Sequence, residues 1–139
     1  ENKKDMMWIM MGHGIPYAAT ATIAYPDDLM AKVNRAKEMR GFRFFHILTP
    51  CVPGWGYRPE LTVEISKLAV QTRLFPLHEI EEGERVIISK NPRVKGLKAF
   101  IKLQERFKHL TPEDIRRMET DVERRWKRLN YMAGFKEEQ

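Results

Sequence analysis

Two short apolar runs, YAATATIAY at residues 17–25 and FRFFHIL at residues 42–48, constrain this chain more than any other feature. Between them lies PDDLMAKVNRAKEMRG, in which Leu29, Val33 and Ala36 share one helical stripe. Acids stand at its front, Lys and Arg at its back, and Gly41 follows as a stop, all signs of an amphipathic helix that opens at Pro26. A strand, a helix and a second strand in such quick succession define a parallel crossover unit. The small, β-branched first run suits a buried strand and its exit loop. The second is almost continuously apolar, as in a sheet covered on both faces.

The flanking segments extend this pattern. Lys4 to Gly12 is predicted as a short helix, with Asp5 near its start and Gly12 and Gly14 as stop signals. A further helix is expected from about Pro59 to Thr72, turning Val63 or Ile65, Leu68 and Ala69 inward. LFPLHEIEEGERVIISK then suggests two short strands joined through Glu82-Gly83. After the linker NPRVKG, two helices are expected, Leu97 to Leu110 and Pro112 to about Tyr131. Thr111-Pro112-Glu113-Asp114 supplies an N-cap, a proline in the first turn and a carboxylate at the capping-box position. Ile115, Met118, Val122, Trp126 and Leu129 form a heptad-like stripe that must pack on something. The element order argues for a three-layer α/β unit with at least two parallel strands. So few strands are thin for a complete sheet, which suggests a piece of a larger domain or a chain that finishes its sheet with a partner.

Composition narrows the classes of function. The 139 residues suit one domain, and 42% hydrophobic with 32% charged residues is a globular balance. No apolar run has the roughly 18–20 residues of a membrane span. The opening ENKKDMMWIMMGHGIP is basic and then apolar, but the run is short and lacks a small-residue cleavage site, so it is not taken as a signal peptide. The chain begins with Glu1, as a processed or truncated piece would. One cysteine excludes an internal disulfide framework and points to a reducing compartment. The net charge is +6, with 13 Lys+Arg against 8 Asp+Glu from Asn91 onward. Acids are interleaved there at helical spacing, which marks a solvated or subunit-facing helix rather than a nucleic-acid surface.

The one cysteine, Cys51, follows the second apolar run directly, in FHILTPCVPGWGYRPE. Ligands of open α/β sheets sit outside the carboxyl ends of strands, so Cys51 is expected on the ligand-facing edge. Pro50 and Pro53 stiffen its loop, while Gly54 and Gly56 permit turns and close approach. Three readings stay open on the residues alone: a small buried hydrophobe, a metal or cluster ligand, and a nucleophile. His46 lies in the strand, on the face of residues 48 and 50, and need not reach Cys51. His13, His78 and His109 are expected to be structural, like His46. The carboxylate pairs Asp27-Asp28 and Glu81-Glu82 sit at a helix start and a turn, where solvent exposure explains them. No zinc-type cysteine pair, phosphate-binding glycine loop or nucleophile elbow occurs.

Taken in order, KKDMMWIMMGHGIPYAATATIAYPDDLMAKVNRAKEMRGFRFFHILTPCVPGW, a helix, LFPLHEIEEGE and the tail LKAFIKLQERFKHLTPEDIRRMETDVERRWKRL resemble one known family. It is the β subunit of 2-oxoacid:ferredoxin oxidoreductases of the pyruvate synthase type, in its C-terminal part. The resemblance implies that residues 1–90 are the C-terminal portion of a three-layer thiamine-diphosphate-binding domain with a mostly parallel sheet. Residues 91–139 would be a two-helix tail. It also implies a cytoplasmic, CoA-dependent oxidative decarboxylation of a 2-oxoacid, pyruvate foremost, with electrons passing through a [4Fe-4S] cluster to ferredoxin.

In that family a Gly-Asp-Gly…Asn motif holds Mg²⁺ and thiamine diphosphate, and three cysteines upstream hold the cluster. Neither element is in this chain. Cys51 matches the fourth ligand, so the resemblance carries over one site residue, Cys51, for both metal and cofactor, and no catalytic residue. Val52-Pro53 stands where relatives often have Pro-Thr. Beside such a cluster, Gly54 and Gly56 are expected to offer backbone N–H groups, and Trp55 or Tyr57 to shield it. The partners implied are other subunits or the missing N-terminal part of the same oxidoreductase, with ferredoxin, 2-oxoacid and coenzyme A, and with no nucleic acid and no membrane span. The chain alone is expected to be inactive. The competing expectation is a non-catalytic assembly module derived from such a subunit.

Overall fold

A computed structural model describes residues 4–134. Residues 1–3 and 135–139, the outer ends of the two expected stretches, lie outside the described residues. Helix α1 (Met6–Gly12) opens on Asp5, whose carboxylate accepts from the Met7 N–H at 3.2 Å. Strand β1 (Tyr17–Thr22) is buried along its whole length. Helix α2 (Pro26–Glu38) and strand β2 (Arg43–Leu48) complete the crossover. A single helical turn, α3 (Val52–Trp55), a 3₁₀ turn (Pro59–Leu61) and helix α4 (Thr62–Gln71) lead to the hairpin of β3 (Leu77–Glu81) and β4 (Arg85–Lys90). Its turn places both Glu82 and Gly83 at positive φ. A short helix α5 (Lys98–Ile101), a 3₁₀ turn (Glu105–Phe107) and the long helix α6 (Pro112–Met132) close the described chain.

The sheet has the order β2-β1-β3-β4. The expected parallel pair forms, with Tyr17 opposite Arg43 and Thr22 opposite Leu48. The other pairings, β1 with β3 and β3 with β4, are antiparallel, so the sheet is mixed rather than mostly parallel. The segment after β2 delivers the chain to the far end of β1, where the Thr20 hydroxyl donates to the Pro76 carbonyl at 2.8 Å and accepts the His78 N–H at 2.9 Å. From that position β3 can only run back against β1.

Alternation along β1 separates two cores. Ala18 points to the side where Met7 of α1, Ile80, Val86 and the α6 residues Trp126 and Leu129 meet. Tyr17 and Ala19 point to the other side and meet Ala36 of α2. Helices therefore cover both faces, as three layers require. A third cluster, Ile65, Leu68, Ala69 and Phe100, lies under the Cys51 segment together with Leu48, Trp55 and Phe107.

Several expectations need correction. β2 is an edge strand, with Arg43, His46 and Ile47 exposed, because no strand lies beyond it among the described residues. On α4 the expectation holds in its second form, with Ile65 inward beside Leu68 and Ala69 and Val63 exposed. On α2 the buried side chains are Asp28, Lys32 and Ala36, while Leu29 and Val33 are half-buried. The helix expected over Leu97–Leu110 breaks at Gln104, whose backbone is extended. The Gln104 amide Nε2 donates to the Phe100 carbonyl at 2.7 Å, which a continuing helix would have given to the Gln104 N–H. That N–H binds the Ile101 carbonyl instead.

Candidate functional site at Cys51

Cys51 stands just past the carboxyl end of β2 and is the N-cap of α3, with φ −101° and ψ 108°. Cys51 is free and exposed, so nothing among the described residues buries it. The expected stiff loop is a helical turn: the Trp55 N–H donates to the Cys51 carbonyl at 2.9 Å and the Gly56 N–H to the Val52 carbonyl at 3.0 Å. Gly56, at φ +63°, ends the turn in the left-handed region. A Cβ on Gly54 would lie 3.1 Å from the Cys51 Sγ, so glycine at this position keeps the space beside the sulfur clear.

Those bonds decide which N–H groups are free to face a ligand on the sulfur. Gly56 is committed to Val52, so its expected role as a donor fails. Pro53 has no N–H, and first-turn N–H groups have no intrahelical acceptor, which leaves those of Val52 and Gly54. Trp55 is half-buried and packs edge-on to Phe100, with ring centroids 6.3 Å apart and planes at 76°. Tyr57 is half-buried beside it, at 6.4 Å between centroids.

The histidines do not join this site. His46 packs edge-on against Phe75 at 5.2 Å, and His13 caps the end of α1. His78 is buried between Thr20 and Pro76, and burial pushes its imidazole down to about 4, so it is neutral and structural. Among the described residues no group of three or more His, Cys, Asp or Glu side chains is placed to hold a metal ion. Cys51 is therefore a single soft donor. Two open clefts, of about 430 and 450 Å³, lie against β4, beside α6 and α2 respectively, and Cys51 lines neither.

Three polar groupings went unseen in the sequence. On the α2 face Asp28 is buried beside Lys32, against the expectation of an exposed helix start, and Tyr17, Glu79, Arg35 and Glu81 form a second linked set. The i, i+4 spacing of Asp28 and Lys32 was the available signal for the first. Against the Cys51 turn, Gln104, Glu105 and Arg106 make contacts for which the sequence held no local signal. No helix among the described residues is long and apolar enough to cross a membrane.

Comparison with known proteins gives the class first. No family model matches the chain, but curated relatives place it as the counterpart of a segment of the β subunits of 2-oxoacid:ferredoxin oxidoreductases. It is 50% identical over 127 residues to the pyruvate synthase subunit PorB of Methanocaldococcus jannaschii, a match covering 91% of this chain and 43% of that subunit. It is 42% identical over 134 residues to the ketoisovalerate oxidoreductase subunit VorB of Pyrococcus furiosus, covering 95% of this chain and 43% of that subunit. The pyruvate synthase subunit PorB of Thermotoga maritima is 39% identical over 132 residues, covering 91% and 41%. The chain thus spans less than half the length of the curated relatives it matches.

Proposed function

We propose that this chain is part of the β subunit of a 2-oxoacid:ferredoxin oxidoreductase that decarboxylates its substrate oxidatively with coenzyme A as acyl acceptor. Pyruvate is the first choice of 2-oxoacid, from the name of the PorB relatives, and the VorB name makes a branched-chain 2-oxoacid the alternative to test. Cys51 is assigned as one ligand of a [4Fe-4S] cluster. The observation that carries this is the exposed thiol on a capped turn at a strand's carboxyl end, with Gly54 leaving room at the sulfur. A soft thiolate with open access is what an iron–sulfur cluster binds. One cysteine fills one corner, so the remaining ligands, and the residues that hold thiamine diphosphate and Mg²⁺, belong to polypeptide outside this chain.

When bound, thiamine diphosphate supplies the decarboxylation chemistry and the cluster passes single electrons toward ferredoxin. The residues of this chain hold the cluster's place. α3 fixes the Cys51 backbone, the Val52 and Gly54 N–H groups stand at the open end of the turn for hydrogen bonds to sulfur, and Trp55 packs beneath. In this reading residues 1–90 complete a thiamine-diphosphate-binding domain and 91–139 are its tail. The exposed outer edge of β2 suits addition of a strand from the rest of the subunit. The complex is cytoplasmic.

The test is Cys51→Ser in the assembled complex, purified without oxygen. Iron content, the electron paramagnetic resonance signal of the reduced cluster and ferredoxin reduction should all fall. Full retention of all three would remove Cys51 from the ligand set.

A further inference from the structure

The turn that carries Cys51 is held by a segment far down the chain. The Glu105 N–H donates to the Gly56 carbonyl at 2.9 Å, and a Cβ on Gly56 would fall 2.5 Å from the Glu105 Cβ. Next to this tie, the Arg106 guanidinium lies 3.6 Å from the centroid of the Trp55 ring and 4.5 Å from that of Phe107. Arg106 Nε donates to Gln104 Oε1 at 2.9 Å, and Gln104, only 3% exposed, donates to the Phe100 carbonyl at 2.7 Å. Phe100 in turn meets Trp55 edge-on. Trp55, Arg106, Gln104 and Phe100 thus form a closed circuit of contacts under α3.

The charge in that circuit has no local explanation. The acceptor that Arg106 binds among the described residues is a neutral amide, not a carboxylate. A guanidinium half-withdrawn from water normally gains a carboxylate partner, which offsets its lost hydration. Here the cation rests on Trp55, one helical turn along from Cys51.

We propose that Arg106 is a positioning residue for Cys51: it pins the α3 turn through Trp55 and adds a positive charge without a carboxylate partner beneath the turn that would carry an anionic, thiolate-ligated cluster. The proposal rests on the reading of Cys51 as a cluster ligand. Contacts behind a ligand fix its orientation, and net charge near a cluster sets its reduction potential. A cation favours the more negative, reduced cluster, so removing it lowers the potential.

The experiment compares wild-type, Arg106→Met, Arg106→Lys, Glu105→Pro, Glu105→Gln and Cys51→Ser complexes, assembled with their partner polypeptides under anaerobic conditions. Redox titration of the cluster's paramagnetic signal gives the potential, and the iron still bound after timed exposure to air and desalting gives cluster retention. Arg106→Met should shift the potential to more negative values and speed cluster loss about tenfold. Arg106→Lys should restore the potential but not the retention, since lysine lacks the planar stack. Glu105→Pro removes the N–H given to Gly56 together with the carboxylate that pairs with Lys108, at the first position of a 3₁₀ turn preceded by an extended Gln104, where proline is tolerated. It should speed cluster loss, while Glu105→Gln, which keeps the N–H and loses the charge, should not. Wild-type potential and retention in Arg106→Met would overturn the proposal, with Cys51→Ser still losing the cluster if the ligand reading is right. A cluster intact in Cys51→Ser would instead remove the reading beneath it. Should Arg106→Met fail to assemble, Arg106→Lys decides, and wild-type retention there overturns the proposal.

Discussion

Lys32 follows Asp28 by one turn of α2, and its Nζ lies 2.5 Å from the Asp28 carboxylate with the two side chains 1% and 5% exposed. The same ammonium donates to the Thr20 carbonyl at 2.8 Å, so the pair fastens α2 to the backbone of β1. Burial pushes the Lys32 pKa below its usual value, while the hydrogen bond and charge of Asp28 pull it back. Such a pair is costly to assemble and costlier to break, because removing one member leaves the other charge buried alone. Asp28→Ala should therefore lose about 3–5 kcal/mol in denaturant unfolding. A double change, Asp28→Leu with Lys32→Met, should recover most of that loss. An Asp28→Ala protein as stable as wild type would mean that water reaches Lys32.

His78 makes stability depend on pH. Burial lowers its pKa from 6.5 to about 4, and the Pro76 carbonyl and Asp5 oppose the shift only weakly. The unfolded chain binds the proton first as pH falls, so protonation favours unfolding across that window. The stabilising contribution of the neutral ring is complete above pH 6.5 and is lost as pH falls toward about 4. It amounts to about 3 kcal/mol at most. His78→Gln cannot titrate and should flatten this part of the stability–pH curve, measured as the wild-type minus variant difference on both sides of the window. Parallel curves would show that His78 binds its proton equally in the folded and unfolded chain, against the shift that burial imposes.

The elements legible in the sequence are those decided by neighbours along the chain. Thr111 and Asp114 announce the start of α6, and both bonds of the capping box form. The stripe ending in Val122, Trp126 and Leu129 is buried where its spacing predicts, although Ile115 and Met118 nearer the cap are only half-buried. What escapes a sequence reading depends on distant partners. Lys32 reads as a surface residue because only the Thr20 carbonyl and the Asp28 carboxylate together make its burial tolerable. FRFFHIL reads as a central strand because it is almost wholly apolar, and composition does not say which strands lie beside it; it stands at the edge of the described sheet. At the candidate site the position of Cys51 at a strand's end is legible. Its support by Gln104 and Arg106 is not, since a glutamine that breaks a helix to bind its own preceding turn has no composition signature.

Gly83 joins the hairpin to the end of α1, and its substitution tests that junction. It sits at φ +69° in the β3–β4 turn, and a Cβ there would fall 2.7 Å from the Gly14 Cα and 3.0 Å from the Met11 carbonyl oxygen. Both obstacles are backbone, so no side-chain rotation relieves them. The Glu82 N–H, donated to the Pro16 carbonyl at 3.0 Å, holds the turn against this surface. Gly83→Ala should incur about 1–2 kcal/mol for the left-handed backbone and a further 1–3 kcal/mol, roughly, for overpacking. Gly134 provides the control, because it has φ +74° and a Cβ there would meet nothing within 4 Å among the described residues. Gly134→Ala should therefore show the conformational cost alone. Unfolding curves of the two variants separate the contributions: a clearly larger loss in Gly83→Ala locates close packing at Gly14, and equal losses would mean that the hairpin moves off α1 without penalty.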